Sequence, residues 1–129
     1  MSKKAKKKTL LIVDDNLILT ELFDELFNEL FNVRIAHSLA EALAELASNN
    51  IDAVICDYNL GIQNADPLIT WVLEKSKSLI NNFILITGET NLDLSHHKNT
   101  LSILHKPVEI ETLLTTVEAL FDKNKRLKA

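Results

Sequence analysis

Four short apolar runs in this 129-residue chain each end on residues able to do chemistry. Thr9–Val13 (TLLIV) leads into Asp14-Asp15, and Ile51–Cys56 (IDAVIC) into Asp57, Tyr58, Asn59 and Leu60. Phe83–Ile86 (FILI) ends at Thr87-Gly88-Glu89, and Leu101–Leu104 at His105-Lys106-Pro107. Three carboxylates brought together cannot all stay ionised cheaply without a cation. A ligand set made only of oxygens suits Mg²⁺, which keeps several waters and is often completed by a phosphate oxygen. Lys106 adds a mobile positive charge and Thr87 a hydroxyl donor. Gly88 offers a place where the backbone can come close and donate an N–H to an anion. Together these groups would stabilise a phosphoryl group in flight or attached to a carboxylate. Asp57 is the natural nucleophile, which would give an aspartyl phosphate. Each piece alone has an ordinary reading: Asp-Asp caps a helix, Thr-Gly makes a turn, Lys-Pro sits in a surface loop. The specificity lies in the combination.

Such a combination needs a scaffold that gathers chain ends. The run before Asp57 is β-branched and bounded by polar residues, as in a strand buried on both faces, so it predicts a central parallel strand. After Asp15, Asn16 can cap a helix whose apolar positions Leu19, Leu22, Phe23, Leu26, Phe27 and Leu30 repeat through Phe31. Val33–Ala36 predicts a weaker strand near a sheet edge, with Arg34 outward. Ser38-Leu39-Ala40-Glu41 has the form of a capping box. It opens a helix with Leu39, Ala42, Leu43, Leu46 and Ala47 inward. Asp66-Pro67 reads as an N-cap followed by proline in the first helical position, ahead of Leu68, Ile69, Val72 and Leu73. Trp71 joins that helix as a core residue. The polar stretch Thr90–Thr100 predicts a short or loosely held helix. A final helix carries Ile110, Leu113, Leu114, Val117, Leu120 and Phe121 on one face.

Five strands alternating with five helices define an α/β chain. The expected fold is a flavodoxin-like (βα)5 three-layer sandwich, with a parallel five-stranded sheet in the order 2-1-3-4-5. Its switch point lies between the first and third strands, the two that end in Asp14-Asp15 and Asp57.

Composition bounds the alternatives. With 47% hydrophobic residues, two glycines and two prolines, the chain reads as one ordered domain over 9–122. Residues 1–8 hold five lysines and no acid, and 123–129 hold four basic residues, so the body between carries the negative charge. The basic segments are expected to be a solvated, disordered arm and a tail rather than a nucleic-acid site. Cys56, the only cysteine, reads as a small core residue in a reducing compartment. No apolar run approaches membrane-spanning length or a signal-peptide core, so a cytoplasmic location is expected. His37, His96, His97 and His105 share no ligand spacing with a carboxylate or the cysteine.

The set of motifs resembles the receiver domain of two-component response regulators, over about residues 8–122. By that resemblance Asp57 is the phosphoacceptor, Thr87 the switch hydroxyl and Lys106 the conserved-type lysine, joined to Pro107 by a bond usually cis in the family. Asp15, Asp57 and the backbone carbonyl of Asn59 would bind Mg²⁺ directly, with Asp14 acting largely through water. Asn59 and Glu89 occupy the positions that tune how fast the aspartyl phosphate hydrolyses. A sensor histidine kinase or histidine phosphotransfer protein would donate the phosphoryl group. The output would be a protein contact on the face made by the fourth helix, fifth strand and fifth helix.

There are departures. Ile103 stands where the family has a switch aromatic, and the loop Gly61–Asp66 lacks the usual pattern. The expected function is a single-domain receiver, monomeric or weakly dimeric, with no DNA-binding domain and no enzymatic activity beyond its own phosphorylation and dephosphorylation. The alternatives are a phosphorylation-independent interaction module on the same fold, or a fragment of a longer regulator or hybrid kinase. A Mg²⁺-dependent phosphatase ranks below these, since Asn59 stands where a second catalytic acid would be wanted.

Overall fold

The computed structural model describes residues 7–89 and 101–122. β1 (Lys8–Val13), α1 (Leu17–Phe27), β2 (Phe31–Ala36), α2 (Leu39–Ser48) and β3 (Ala53–Asp57) come first. A small hairpin follows, β4 (Asn59–Leu60) with β5 (Gln63–Asn64). Next are α3 (Asp66–Lys75), the one-turn α4 (Lys77–Ile80), β6 (Phe83–Thr87), β7 (Ser102–His105) and α5 (Ile110–Phe121). The main sheet has the order β2-β1-β3-β6-β7, and every pairing in it is parallel. Counting main-sheet strands alone, this is the expected 2-1-3-4-5 order.

Side-chain alternation sorts the core into two layers. Leu11, Val13, Val54, Cys56, Phe83 and Leu85 pack against α2, α3 and α4 on one face. Leu10, Ile12, Ala53, Ile55, Ile84 and Ile86 pack against α1 and α5 on the other. All of β3 and β6 is buried, which is why both read as continuous apolar runs rather than alternating ones. β2 lies at the edge, and its exposed Arg34 forms a charge-assisted pair with Glu45 of α2.

Local departures have local causes. α1 stops at Phe27, where the Asn28 N–H still reaches Asp24 O, and Leu30 N–H turns back to Phe27 O. Phe31 therefore opens β2 two residues before the expected strand, yet its ring meets Phe27 edge-on at 6.0 Å. A four-residue spacing that reads as a helical stripe here spans a helix end and a strand start. Leu22, Leu30 and Ala47, expected inward, are exposed. Ser38 caps α2 as expected, its Oγ accepting Glu41 N–H, but the Glu41 carboxylate accepts the His37 N–H at 2.7 Å rather than that of Ser38. Asp66 is the first residue of α3, not its cap, because its carboxylate is engaged by Tyr58. The helix expected over 90–100 and most of both basic termini lie outside the described residues, although Lys8 already belongs to β1, opposite Phe31.

Phe27 is fully buried while Leu30, three residues on, is exposed. Phe27→Ala is expected to cost ~3–5 kcal/mol in urea unfolding. Leu30→Ala should stay within about 0.5 kcal/mol of the parent.

Candidate functional site

The carboxyl ends of β1, β3 and β6 and the residues after β7 form one edge of the sheet. Asp14 leaves β1 with its N–H held by Ala36 O at 3.1 Å, and its Oδ1 accepts Asn16 N–H at 2.9 Å. Asn16 in turn caps α1 by accepting Leu19 N–H. The helix therefore starts immediately beyond the acidic pair. Asp57 closes β3 and is buried, with Oδ1 accepting Asn59 N–H at 3.3 Å. Its Oδ2 accepts from Lys106 Nζ at 3.0 Å. Carboxylate oxygens of Asp14, Asp15 and Asp57 lie within 4.8 Å of one another. Asp15 is the exposed member of the three.

This crowding has an electrostatic signature. Burial pushes the Asp14 carboxyl above its ordinary value, and the charges of Asp57 and Asp15 push the same way. The Asn16 N–H and the Lys106 ammonium oppose the rise without cancelling it. A donor set of carboxylate oxygens, two of them buried and short of positive charge, fits a hard divalent cation. Histidine and cysteine take no part in the acidic group among the described residues. His37 instead shares a 3.1 Å hydrogen bond with the Thr20 hydroxyl. Since that hydroxyl donates to Leu17 O, the His37 Nε2–H must be the donor.

The remaining predicted residues fall around this edge. Thr87 ends β6, buried, its Oγ1 accepting Glu89 N–H at 3.0 Å and its carbonyl accepting Lys106 N–H at 2.8 Å. Strand pairing thus ties the Thr87 turn to Lys106. Among the described residues nothing crowds Gly88: a Cβ there would meet the Lys106 side chain, no nearer than 3.9 Å. The Lys106–Pro107 bond is cis. Ile103 is partly buried and packs on the α2/α3 side of the core. A mostly apolar cavity of about 660 Å³, lined by Leu19, Leu22, Phe23, Pro107 and Ile110 among others, opens directly onto Asp14 and Lys106.

The hairpin β4–β5 has no counterpart in the sequence-based expectations. Gly61 and Ile62 form its two-residue turn, and Gly61 has φ of 76°, as a glycine leading such a turn requires. The readable signal was Gly61-Ile62 between the pairs Asn59-Leu60 and Gln63-Asn64. The Ala65 N–H bonds to Tyr58 O at 2.9 Å, and antiparallel rungs alternate between bonded and non-bonded pairs. The Asn59–Asn64 rung is therefore the non-bonded one, and the Asn59 N–H, directed at Asp57, confirms which way that backbone edge faces. The Asn59 carbonyl shares that edge.

A doubly wound parallel sheet with a carboxylate triplet and a lysine at its switch point defines the class of domain. The chain belongs to the response regulator receiver domain family, whose model matches residues 10–118. No curated protein matches the sequence. Among solved structures, the chain is similar to a CheY-like receiver domain protein from Methanospirillum hungatei JF-1, with TM-score 0.81 and 23% identity over 94% of this chain and 99% of that one. It is also similar to the signal receiver domain of an HD domain-containing protein from Pseudomonas fluorescens Pf-5, with TM-score 0.79 and 21% identity over 94% and 99%. Chemotaxis protein CheY4 of Vibrio cholerae gives TM-score 0.76 and 24% identity over 89% and 99%. At these identities the likeness is one of fold.

A raised carboxyl in the folded state binds more protons than the unfolded chain does, so its contribution to stability is lost as pH rises. In chelator-treated buffer at pH 7, Asp14→Asn should therefore melt above the parent, because the amide keeps the Asn16 bond and removes the charge. The gap should close as pH falls toward the ordinary aspartate value of 3.8. A pH series of thermal melts checks this.

Proposed function

We propose that this receiver domain accepts a phosphoryl group from a phosphohistidine donor on Asp57, with Mg²⁺ held by the acidic rim, and passes the signal on through protein contacts. The observation that carries the reading is the 3.0 Å contact of Lys106 Nζ with the Asp57 carboxylate, inside a group whose other oxygens come from Asp14 and Asp15. Asp57 and Asp15 side chains and the Asn59 carbonyl would hold the metal, with Asp14 acting through water. When bound, the cation neutralises charge on the rim and on the phosphoryl oxygens.

The chain's own groups do the rest. An Asp57 carboxylate oxygen attacks phosphorus; the new P–O bond forms as the donor's P–N bond breaks. The leaving imidazole nitrogen takes the bonding pair and is then protonated from solvent. Lys106, already at the carboxylate, moves its charge to a phosphoryl oxygen as negative charge shifts there. Thr87 supplies a hydroxyl and Gly88 an N–H at the adjacent turn. Asn59 and Glu89 are exposed at the mouth, where water must approach to hydrolyse the product, so their side chains set its lifetime.

The surface around the rim suits a protein donor. Of the six exposed large apolar side chains among the described residues, Leu17, Ile18 and Leu22 lie on α1 just beyond Asp15. Ile62 tops the hairpin that follows Asp57, and Ile110 lines the cavity reaching Lys106. A sensor kinase or phosphotransfer protein would bury this apolar collar while delivering its histidine. The downstream partner would use β7 and α5 together with residues 90–100, and Ile103 would take the place of the family's aromatic in relaying the change. Among the described residues no helix is long and apolar enough to cross a membrane. A cytoplasmic protein, monomeric or weakly dimeric and acting on no substrate but itself, completes the proposal.

Incubation with acetyl phosphate and Mg²⁺ should add one phosphoryl group by intact mass, with no gain for Asp57→Ala or in chelator. Lys106→Ala should retain the metal site but slow the gain by about 100-fold or more, the scale of a lost charge-stabilising donor. No adduct despite bound metal would leave the interaction module without phosphorylation as the better account. An adduct that leaves amide exchange unchanged across 101–106 would favour a phosphoryl relay over a conformational signal.

A further inference from the structure

The hairpin after Asp57 is braced from outside the acidic rim. Tyr58 is 6% exposed, and its hydroxyl donates to Asp66 Oδ2 at 3.0 Å. The Tyr58 N–H is fixed to Ile86 O at 2.8 Å and its carbonyl to Ala65 N–H at 2.9 Å. On the return strand, Asn64 Oδ1 accepts Asp66 N–H at 2.9 Å. The phenol-to-carboxylate bond thus clamps the base of the hairpin, joining the residue that leaves β3 to the first residue of α3.

A hairpin this short does not hold its own shape in water. Beyond the base it has the rungs Asn59–Asn64 and Leu60–Gln63, one core anchor in the buried Leu60 on the first strand, and an exposed Ile62 at the tip. Asn59 is the residue immediately after the clamp, and its outward backbone edge faces the carboxylates. Asp66 is not a member of the acidic group, and its hydrogen-bonded link to that edge runs through Tyr58 and the hairpin.

We propose that the Tyr58–Asp66 hydrogen bond makes these two side chains positioning residues for a divalent cation, by fixing the Asn59 carbonyl as a ligand beside Asp57 and Asp15. This rests on the metal reading given above. Tyr58→Phe deletes one oxygen and leaves the ring to pack; Asp66→Ala removes the acceptor, and Asp66→Asn keeps an oxygen that accepts the same bond.

The test is Mn²⁺ titration of the full chain by electron paramagnetic resonance, with circular dichroism on each variant. Tyr58→Phe and Asp66→Ala should each weaken Mn²⁺ binding by about 10-fold, the low end for partners that orient ligands. The double variant should lose no more than either single one, and Asp66→Asn should stay near the parent. Binding by Tyr58→Phe within about twofold of the parent, with only a lowered melting temperature, would overturn the proposal and leave the bond a purely structural brace. If Asp66→Ala does not fold, Tyr58→Phe against Asp66→Asn decides. A parent chain that binds no Mn²⁺ would overturn the metal reading itself, a result distinguishable because it needs no variant.

Discussion

The contact between the Lys106 ammonium and the Asp57 carboxylate joins two parts of the chain 49 positions apart, and it sets what the rest of the site can be. Asp57 is buried beside two other carboxylates, a position that is costly for a lone charge and tolerable for a paired one. Lys106 is itself half exposed, so the pair is not sealed. Its ammonium can follow charge that appears a few ångströms further out. A fully buried pair would have been static, and a fully exposed one would have been screened to little effect.

Register is what delivers the two partners. Val13 pairs with Cys56, Asp57 with Ile86, and Thr87 with His105, so β3 ends one residue beyond β1 and β6 one beyond β3, while β7 ends level with β6. Because the strands are parallel, all these ends face the same way, and α1 can start as soon as Asp15 has been presented. A slip of one residue in β3 would turn Asp57 toward the opposite helical layer and put Cys56 in its place. The dense packing of Ile55, Cys56, Ile84 and Leu85, each at most 1% exposed, guards against that slip. Core and site are the same constraint seen from two ends of a strand.

Much of this was legible in the residues. The buried strands announced themselves as unbroken apolar runs, and the strand order followed from alternation with helices. The clustering of Asp14, Asp15, Asp57 and Lys106 then followed from that order alone. What the sequence did not disclose was decided by contacts rather than pattern. Phe31 has helical spacing from Phe27, yet tertiary packing against Phe121 places it on a strand. Asp66 looks like a helix cap, but a phenol eight residues earlier takes its carboxylate. Gly88 looks like a residue chosen for space, and the described residues around it do not demand one. The hairpin was missed because two-residue strands carry no periodicity, only the turn glycine between them.

The central claim is that, of three clustered carboxylates, the one paired with Lys106 is the nucleophile. Borohydride reduces an aspartyl phosphate to homoserine, so trapping after acetyl phosphate treatment, followed by peptide mass mapping, identifies the carboxylate that carried the phosphoryl group. Homoserine at position 57 alone is the predicted result. Homoserine at position 14 or 15, with 57 unmodified, would contradict the account.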